Sequence, residues 1–559
     1  MAKEKVAFKP QDAAFEAFSL NVGDHIDDPG EAARILRRVL RDPAIVRLLG
    51  GKPATWTIQA LGRGSHDYLV SPKVLSLTPA LAWEITRVLR GHRDIADAEP
   101  LFLLPNLDGL QPEKGKLAGI FSDRETHLKE SDPLEWVLDT CFVREAWSVS
   151  VAARKPARGA GIKVGHPDTG YTDHGEFNFP DRLLTKEGYS FEEDKQDPRD
   201  PLNGMHPGHG TSTGSVIISD EGGPASPTAF VSGIAPKASL VPIRINNSVI
   251  HLSYRNLTRG IYFAVDTAQC HLLSMSLGGP LPNRSLERAL QHAVEMGVIP
   301  MAAAGNNVGF VVYPARYDEV LALAASNARD EIWSGSSQGS DVEVTAPGES
   351  VWRALADKTG NNSVARSSGT SYSVATAAGI CALWLAHHGR DVLIQRYGAM
   401  RLIRVFRELL MRTARRPPGW DSERYGAGIV NAKELLASKL PDYAPAASIH
   451  RLKAQVTPRS ANDFDWVASY FPSVDQGRLR QTLIGMLKTT DATLELTLSE
   501  LADELAYHFV IDPNVYDYVI QESSGKPGTL SSIGTGKKVK SPPPPIRRAS
   551  KTLRAQLAR

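Results

Sequence analysis

Between residues 134 and 440 the chain repeats one pattern, in which a short unbroken apolar run gives way to a stretch of helical period and then to another run. Ser239-Leu-Val-Pro-Ile-Arg-Ile, Leu272-Leu-Ser-Met-Ser-Leu, Gly297-Val-Ile-Pro-Met-Ala-Ala-Ala and Val320-Leu-Ala-Leu-Ala-Ala do not alternate apolar with polar. Runs of this kind predict strands buried on both faces. Between two of them, Leu286, Ala289, Leu290, Ala293 and Val294 recur at the spacing of a helix that lays one apolar stripe on a sheet. Strand, helix and strand repeated in this way predict an α/β domain, a parallel sheet covered by helices on both faces. Functional residues are then expected at the carboxyl ends of the strands.

The flanking segments read differently. Residues 1–103 mix polar and apolar stretches, and Thr78 stands where it can cap a helix carrying Leu81, Ile85 and Val88, which predicts a small α+β region. Residues 104–133 turn polar, with Pro, Gly and the run Ser122-Asp-Arg-Glu-Thr-His-Leu-Lys-Glu-Ser-Asp, the composition of an exposed, cleavable linker. Residues 441–524 predict a small helical domain, whose best local signal is the capping box Thr497-Leu-Ser-Glu500 ahead of Leu501, Leu505 and Phe509. Residues 525–559 are basic and Pro-containing, with little to bury, and are expected to be disordered.

The 559 residues are too many for one small module, and 42% hydrophobic with 23% charged residues is the balance of a globular chain. Lys and Arg (64) nearly cancel Asp and Glu (62), so no global field recruits nucleic acid or a membrane. The positive charge is gathered in the tail, where no aromatic residues interleave with it, and it reads as a solvated run rather than a nucleic-acid site. Cys141, Cys270 and Cys381 are widely spaced and odd in number, which suggests neither a disulfide framework nor a zinc knuckle and fits a reducing compartment. With no apolar stretch of membrane-spanning length and no export-like start, the expected location is cytoplasmic.

Four segments of the middle region carry candidate chemistry. Asp168, in Gly165-His-Pro-Asp-Thr-Gly170, sits at a strand end, where an acidic turn residue is the plain alternative. The aspartic-protease reading of Asp-Thr-Gly needs a second copy, which the chain lacks. His209 lies among small residues in Gly208-His-Gly-Thr-Ser-Thr-Gly-Ser215, leaving an imidazole room to act as a base; His206 and His209 could instead suggest metal, but nothing completes a ligand set. Asn306 ends a run of tiny residues and could donate to an oxyanion or simply cap a loop. Ser371 opens a helix lined by Ala375, Ala378, Gly379 and Ala382, as an N-cap serine or as a nucleophile favoured by the helix terminus.

In this order Asp168, His209, Asn306 and Ser371 resemble the subtilisin-like serine proteases, the subtilase family. Ser274-Met-Ser-Leu-Gly-Gly-Pro280, Val231-Ser-Gly-Ile-Ala-Pro-Lys-Ala-Ser-Leu240, Val342-Glu-Val-Thr-Ala-Pro-Gly348 and Tyr425-Gly-Ala-Gly-Ile-Val-Asn431 extend the resemblance over roughly residues 134–440. It implies a serine endopeptidase acting on protein or peptide substrates through an acyl-enzyme. Asp168, His209 and Ser371 would be the triad, Asn306 the oxyanion donor, and Ser276, Leu277 and Gly278 the strand that pairs with substrate. Val312 stands before Tyr-Pro where the family often has Gly, which implies a shorter primary pocket and small or medium P1 residues. Pro167 replaces the usual aliphatic residue before the aspartate and deletes one ladder donor. Asp94-Ile-Ala-Asp-Ala-Glu-Pro100 resembles the strand leading out of a subtilase propeptide, so residues 1–103 are expected to mask the cleft until the linker is cut. The chemistry needs no cofactor or metal, no carboxylate cluster identifies a structural calcium, and the C-terminal helical domain is a candidate protein-binding module. The competing expectation is a catalytically silent subtilase-fold scaffold.

Overall fold

The computed structural model describes residues 14–103, 135–442, 463–524 and 546–558, less the loop 223–229 and positions 24, 27, 63, 75, 252, 309, 360, 361, 469, 472, 473, 547 and 548. The expected linker and the Pro-rich part of the tail lie outside the described residues. The chain divides into two compact units, one made of Met1–Ala60, Gly64–Leu107 and Pro458–Arg559, the other of Leu61–Arg63 and Asp108–Thr457.

The first unit contains a four-stranded antiparallel sheet in the order β2-β3-β1-β4, from β1 (Ala14–Asn21), β2 (Trp56–Ala60), β3 (Asp67–Pro72) and β4 (Asp97–Leu103). Thr78 caps the helix Pro79–Arg90, accepting from the Leu81 amide at 3.3 Å, and the helix buries Ala82, Ile85 and Leu89. Helices Pro29–Val39, Pro43–Leu48, Asp463–Ala468, Gln476–Leu487, Leu494–Ile511 and Pro513–Ser524 belong to the same unit. The helix around Leu501 begins earlier than its sequence suggests: Thr490 and Thr493 form the capping box, and Thr497 lies inside the helix.

Two expectations about the chain ends are corrected. The N-terminal region and the C-terminal helices are one unit rather than two domains, because Trp83, Phe102 and Tyr507 cluster and the buried Glu504 carboxylate binds Arg87. The end of the tail is ordered: Lys551–Ala558 is a helix with Leu553 fully buried. Ser550 accepts from the Leu553 amide at 3.1 Å, while its own amide donates to Glu504 at 2.6 Å and Thr552 donates to Glu84. A composition averaged over the Pro-rich stretch hides this short apolar and capped segment.

The second unit is built on a seven-stranded parallel sheet in the order β11-β10-β9-β8-β5-β7-β6. Its strands are β5 (Lys163–Asp168), β6 (Tyr189–Ser190), β7 (Ser239–Arg244), β8 (Leu272–Met275), β9 (Ile299–Ala303), β10 (Leu321–Ser326) and β11 (Val344–Pro347). The four residues of β8, the five of β9 and the six of β10 are all buried, which explains their unbroken apolar runs. Helices His209–Ile218 and Thr370–His388 pack together and on the sheet, as do Arg255–Tyr262 and Arg284–Glu295. An antiparallel hairpin, β12 (Val351–Ala356) with β13 (Asn362–Ser367), leads into the helix that begins at Thr370. Pro167 fits because pairing of β5 with β8 ends at Gly165, so no ladder bond to that neighbour is lost at the strand end.

Candidate active site

The carboxyl end of β5 delivers Asp168 to a turn in which the Thr169 amide donates to its Oδ1 at 2.7 Å and the Thr213 hydroxyl to its Oδ2 at 3.3 Å. His209 Nδ1 lies 2.8 Å from Oδ1 and 3.0 Å from Oδ2 of the same carboxylate. Burial alone would raise the Asp168 carboxyl, but the charge and hydrogen bond of His209, with His166 and the Thr169 amide, outweigh it and hold it below its ordinary value. An ionised carboxylate only accepts, so Nδ1 carries a proton, and Nε2 is the ring nitrogen left to face the reaction.

The small residues around His209 have a steric reason. Gly208 precedes the helix at φ 69°, and a Cβ there would fall 2.2 Å from the Ala356 carbonyl oxygen. A Cβ on Gly210 would fall 2.1 Å from the Gly170 carbonyl oxygen, so only glycine lets the helix press onto the Asp168 turn.

A second cluster gathers at the start of the helix Thr370–His388. Asn306 follows β9 and is fully buried. Its Oδ1 accepts from the Thr370 amide at 2.9 Å and from the Thr370 hydroxyl at 2.8 Å. The amide is thereby fixed by its oxygen, and among the described residues the buried Nδ2 has no hydrogen-bond partner. Ser371, the next residue, rests its hydroxyl on the Ser276 carbonyl at 3.4 Å, while the Ser276 hydroxyl donates to the Ser371 carbonyl at 2.9 Å. Among the described residues, the Ser371 hydroxyl makes this one long bond. The packed helices His209–Ile218 and Thr370–His388 bring His209 and Ser371 to one side of the sheet.

The expected substrate strand is placed beside this cluster, with Ser276 and Leu277 buried. At Gly278 the amide and carbonyl are already bonded to Val249 and His251. Val312 is fully buried; its Cγ2 lies 3.0 Å from where a Gly278 Cβ would be, and Cγ1 3.0 Å from where a Gly305 Cβ would be. It therefore fills the gap between the segments that carry Gly278 and Asn306.

Sequence reasoning missed His166 and Thr213. His166 Nε2 meets Thr213 Oγ1 at 3.0 Å and lies 3.8 Å from Asp168 Oδ2. Burial brings its pKa down to about 4 against the pull of Asp168, so it stays neutral near pH 7. Its position two residues before Asp168 on one strand, hence on the same face, was the available signal. Among the described residues, no group of three or more His, Cys, Asp or Glu side chains is placed to hold a metal ion, and no helix is long and apolar enough to cross a membrane.

Residues 159–428, all within the second unit, match the family model described as "Subtilase family". Subtilisin DY of Bacillus licheniformis is 30% identical over 282 residues, covering 49% of this chain and 91% of that protein. Thermitase of Thermoactinomyces vulgaris is 31% identical over 250 residues (44% and 80%), and Subtilisin Savinase of Lederbergia lenta 29% over 243 residues (42% and 82%).

Proposed function

The chain belongs to the subtilase family and is a subtilisin-like serine endopeptidase, and on that premise we propose that Asp168, His209 and Ser371 carry its chemistry with Asn306. Ser371 Oγ attacks the peptide carbonyl while His209 Nε2 takes its proton. Asp168 fixes the ring through Nδ1 and stabilises the imidazolium. The carbonyl oxygen becomes an oxyanion between Asn306 Nδ2 and the Ser371 amide. Collapse of the tetrahedral intermediate expels the amine with the proton from His209, and water then attacks the acyl-enzyme with the same ring as base. Rotation of the Ser371 hydroxyl from Ser276 toward His209 on substrate binding completes the arrangement, since such bonds are often long before substrate arrives.

The observation that carries this reading is the Asn306 Nδ2, buried beside Ser371 without a partner among the described residues while its Oδ1 is held twice. Burying an unpaired donor costs free energy that a structural residue would avoid, and an oxyanion would satisfy it. A fluorophosphonate should label the wild-type protein once its linker is cut and fail to label Ser371→Ala; absence of labelling in cut wild type would favour a silent scaffold.

Substrate specificity and control belong to the same proposal. Val312 limits the P1 side chain to small or medium size. Residues 1–103 restrain the enzyme until the linker is cut by Ser371 itself, which mass spectrometry of wild type against Ser371→Ala tests through a processed chain in the first alone. A cytoplasmic location is supported by three buried, free cysteines and is checked by cell fractionation.

A further inference from the structure

Gly278 has one amide and one carbonyl on the edge it offers, and both are in use. Its amide donates to the Val249 carbonyl at 2.9 Å, and its carbonyl accepts from the His251 amide at 2.9 Å, the pattern of a parallel bridge centred on Ile250. The next residue faces the other way and is also occupied: the Gly279 amide donates to the Tyr313 carbonyl at 2.8 Å, and the Tyr313 amide to the Gly279 carbonyl at 2.9 Å. The short segment Val249–His251 is held in place. Val249, Ile250 and His251 are buried, and the Ile250 amide donates to Ser248 Oγ at 3.1 Å. The Val249 amide lies 3.5 Å from His206 Nδ1, three residues before His209, so the segment spans from the histidine wall to the Gly278 wall.

A peptide adding itself as a strand to residues 276–278 needs the same two groups of Gly278 that Val249 and His251 hold. One backbone N–H cannot serve both, and occupancy is exclusive. At Ser276, one step nearer the nucleophile, the carbonyl is met by the Ser371 hydroxyl, which moves away in the reaction. The inner subsites are thus ready and the outer one is filled by the protein.

We infer that Val249–His251 is a built-in competitor strand, which a peptide substrate long enough to reach Gly278 must displace and a shorter one bypasses. The inference rests on the endopeptidase reading above. It makes the free enzyme insensitive to substrate length, since what a long peptide gains at Gly278 is offset by breaking the bond pair already there.

The test uses the full-length protein and two chromogenic peptide amides sharing P1 and P2, one ending at P2 and one extended to P4. Ile250→Gly removes the buried anchor and His251→Pro removes the N–H given to Gly278. Each should raise the long-to-short ratio of kcat/KM roughly three- to tenfold, the scale of one net hydrogen bond, with the short peptide unchanged. An unchanged ratio, or equal loss on both peptides, overturns the inference. Amide exchange supplies a readout independent of turnover: the His251 and Gly278 amides should be protected together in the free protein and exchange faster in Ile250→Gly. With a tetrapeptidyl chloromethyl ketone bound, only the His251 amide should lose protection. Free exchange at His251 in the unliganded wild type refutes the strand. Failure of the endopeptidase reading looks different: neither peptide is cut, while the exchange result still stands.

Discussion

Replacing Asn306 by alanine tests the oxyanion assignment at a residue whose two ends have opposite fates. Oδ1 accepts two bonds from Thr370, at 2.9 and 2.8 Å, and Nδ2 makes none among the described residues. In the resting protein the substitution strands the Thr370 amide and hydroxyl, a cost of about 1–3 kcal/mol, but it also removes an unpaired buried donor, so the net loss of stability should fall toward the lower end. In the transition state it removes a preorganised donor from a dry site. For the corresponding donor in subtilisin such a loss is about 10²–10³ in kcat, or about 2.7–4 kcal/mol, and the same range is expected here. Steady-state kinetics should show the fall in kcat with KM nearly unchanged, because the donor acts on charge that the ground state lacks. Thr370→Val removes one of the two bonds that aim the amide, and should cost roughly two- to tenfold in kcat. Combined with Asn306→Ala it should cost almost nothing more, since it has no amide left to aim. A drop smaller than about threefold in Asn306→Ala, or full additivity in the double variant, would show that the amide does not work on the oxyanion.

Other expectations follow from specific side chains. Val312→Gly should open the space between Gly278 and Gly305 and raise the preference for Phe over Ala at P1 by roughly tenfold, read from a peptide library; a wild type that already favours Phe or Tyr would refute the short pocket. Burial, with Glu319 nearby, raises the Glu287 carboxyl to about 7 from 4.5. The folded protein therefore holds a proton that the unfolded chain releases, and stability falls as pH rises from about 4.5 to about 7; thermal melts of Glu287→Gln should lose most of that slope. Glu504→Ala should destabilise the first unit by about 1–3 kcal/mol, since it strands the Ser550 amide while Arg87 keeps Glu84 and the Ser550 hydroxyl, and denaturation of the variant checks it.

The parallel sheet could be read from unbroken apolar runs because burial on both faces removes alternation, and each candidate residue fell where such a run ended or a helix began. What escaped reading depended on distant partners. His166 is an ordinary strand residue until Thr213 closes on it from a helix more than forty positions away. Gly278 resembles an open strand edge, and nothing local indicates that Val249 and His251 cover it. Glu504 reads as a solvated helix charge, yet Arg87 and Ser550 draw it into the interior. Periodicity reports which face is buried and is silent about which remote segment buries it.

The joining of the first hundred residues to the last hundred changes what a cut between them would mean. Trp83, Glu84 and Arg87 on one side meet Tyr507, Thr552 and Glu504 on the other, so the amino-terminal piece is gripped by the far end of its own polypeptide. Scission in residues 104–133 would leave two chains on a denaturing gel and one particle in native mass spectrometry. The cut proposed above would then loosen a tether without shedding a fragment, and residues 1–103 would stay aboard as a permanent subunit.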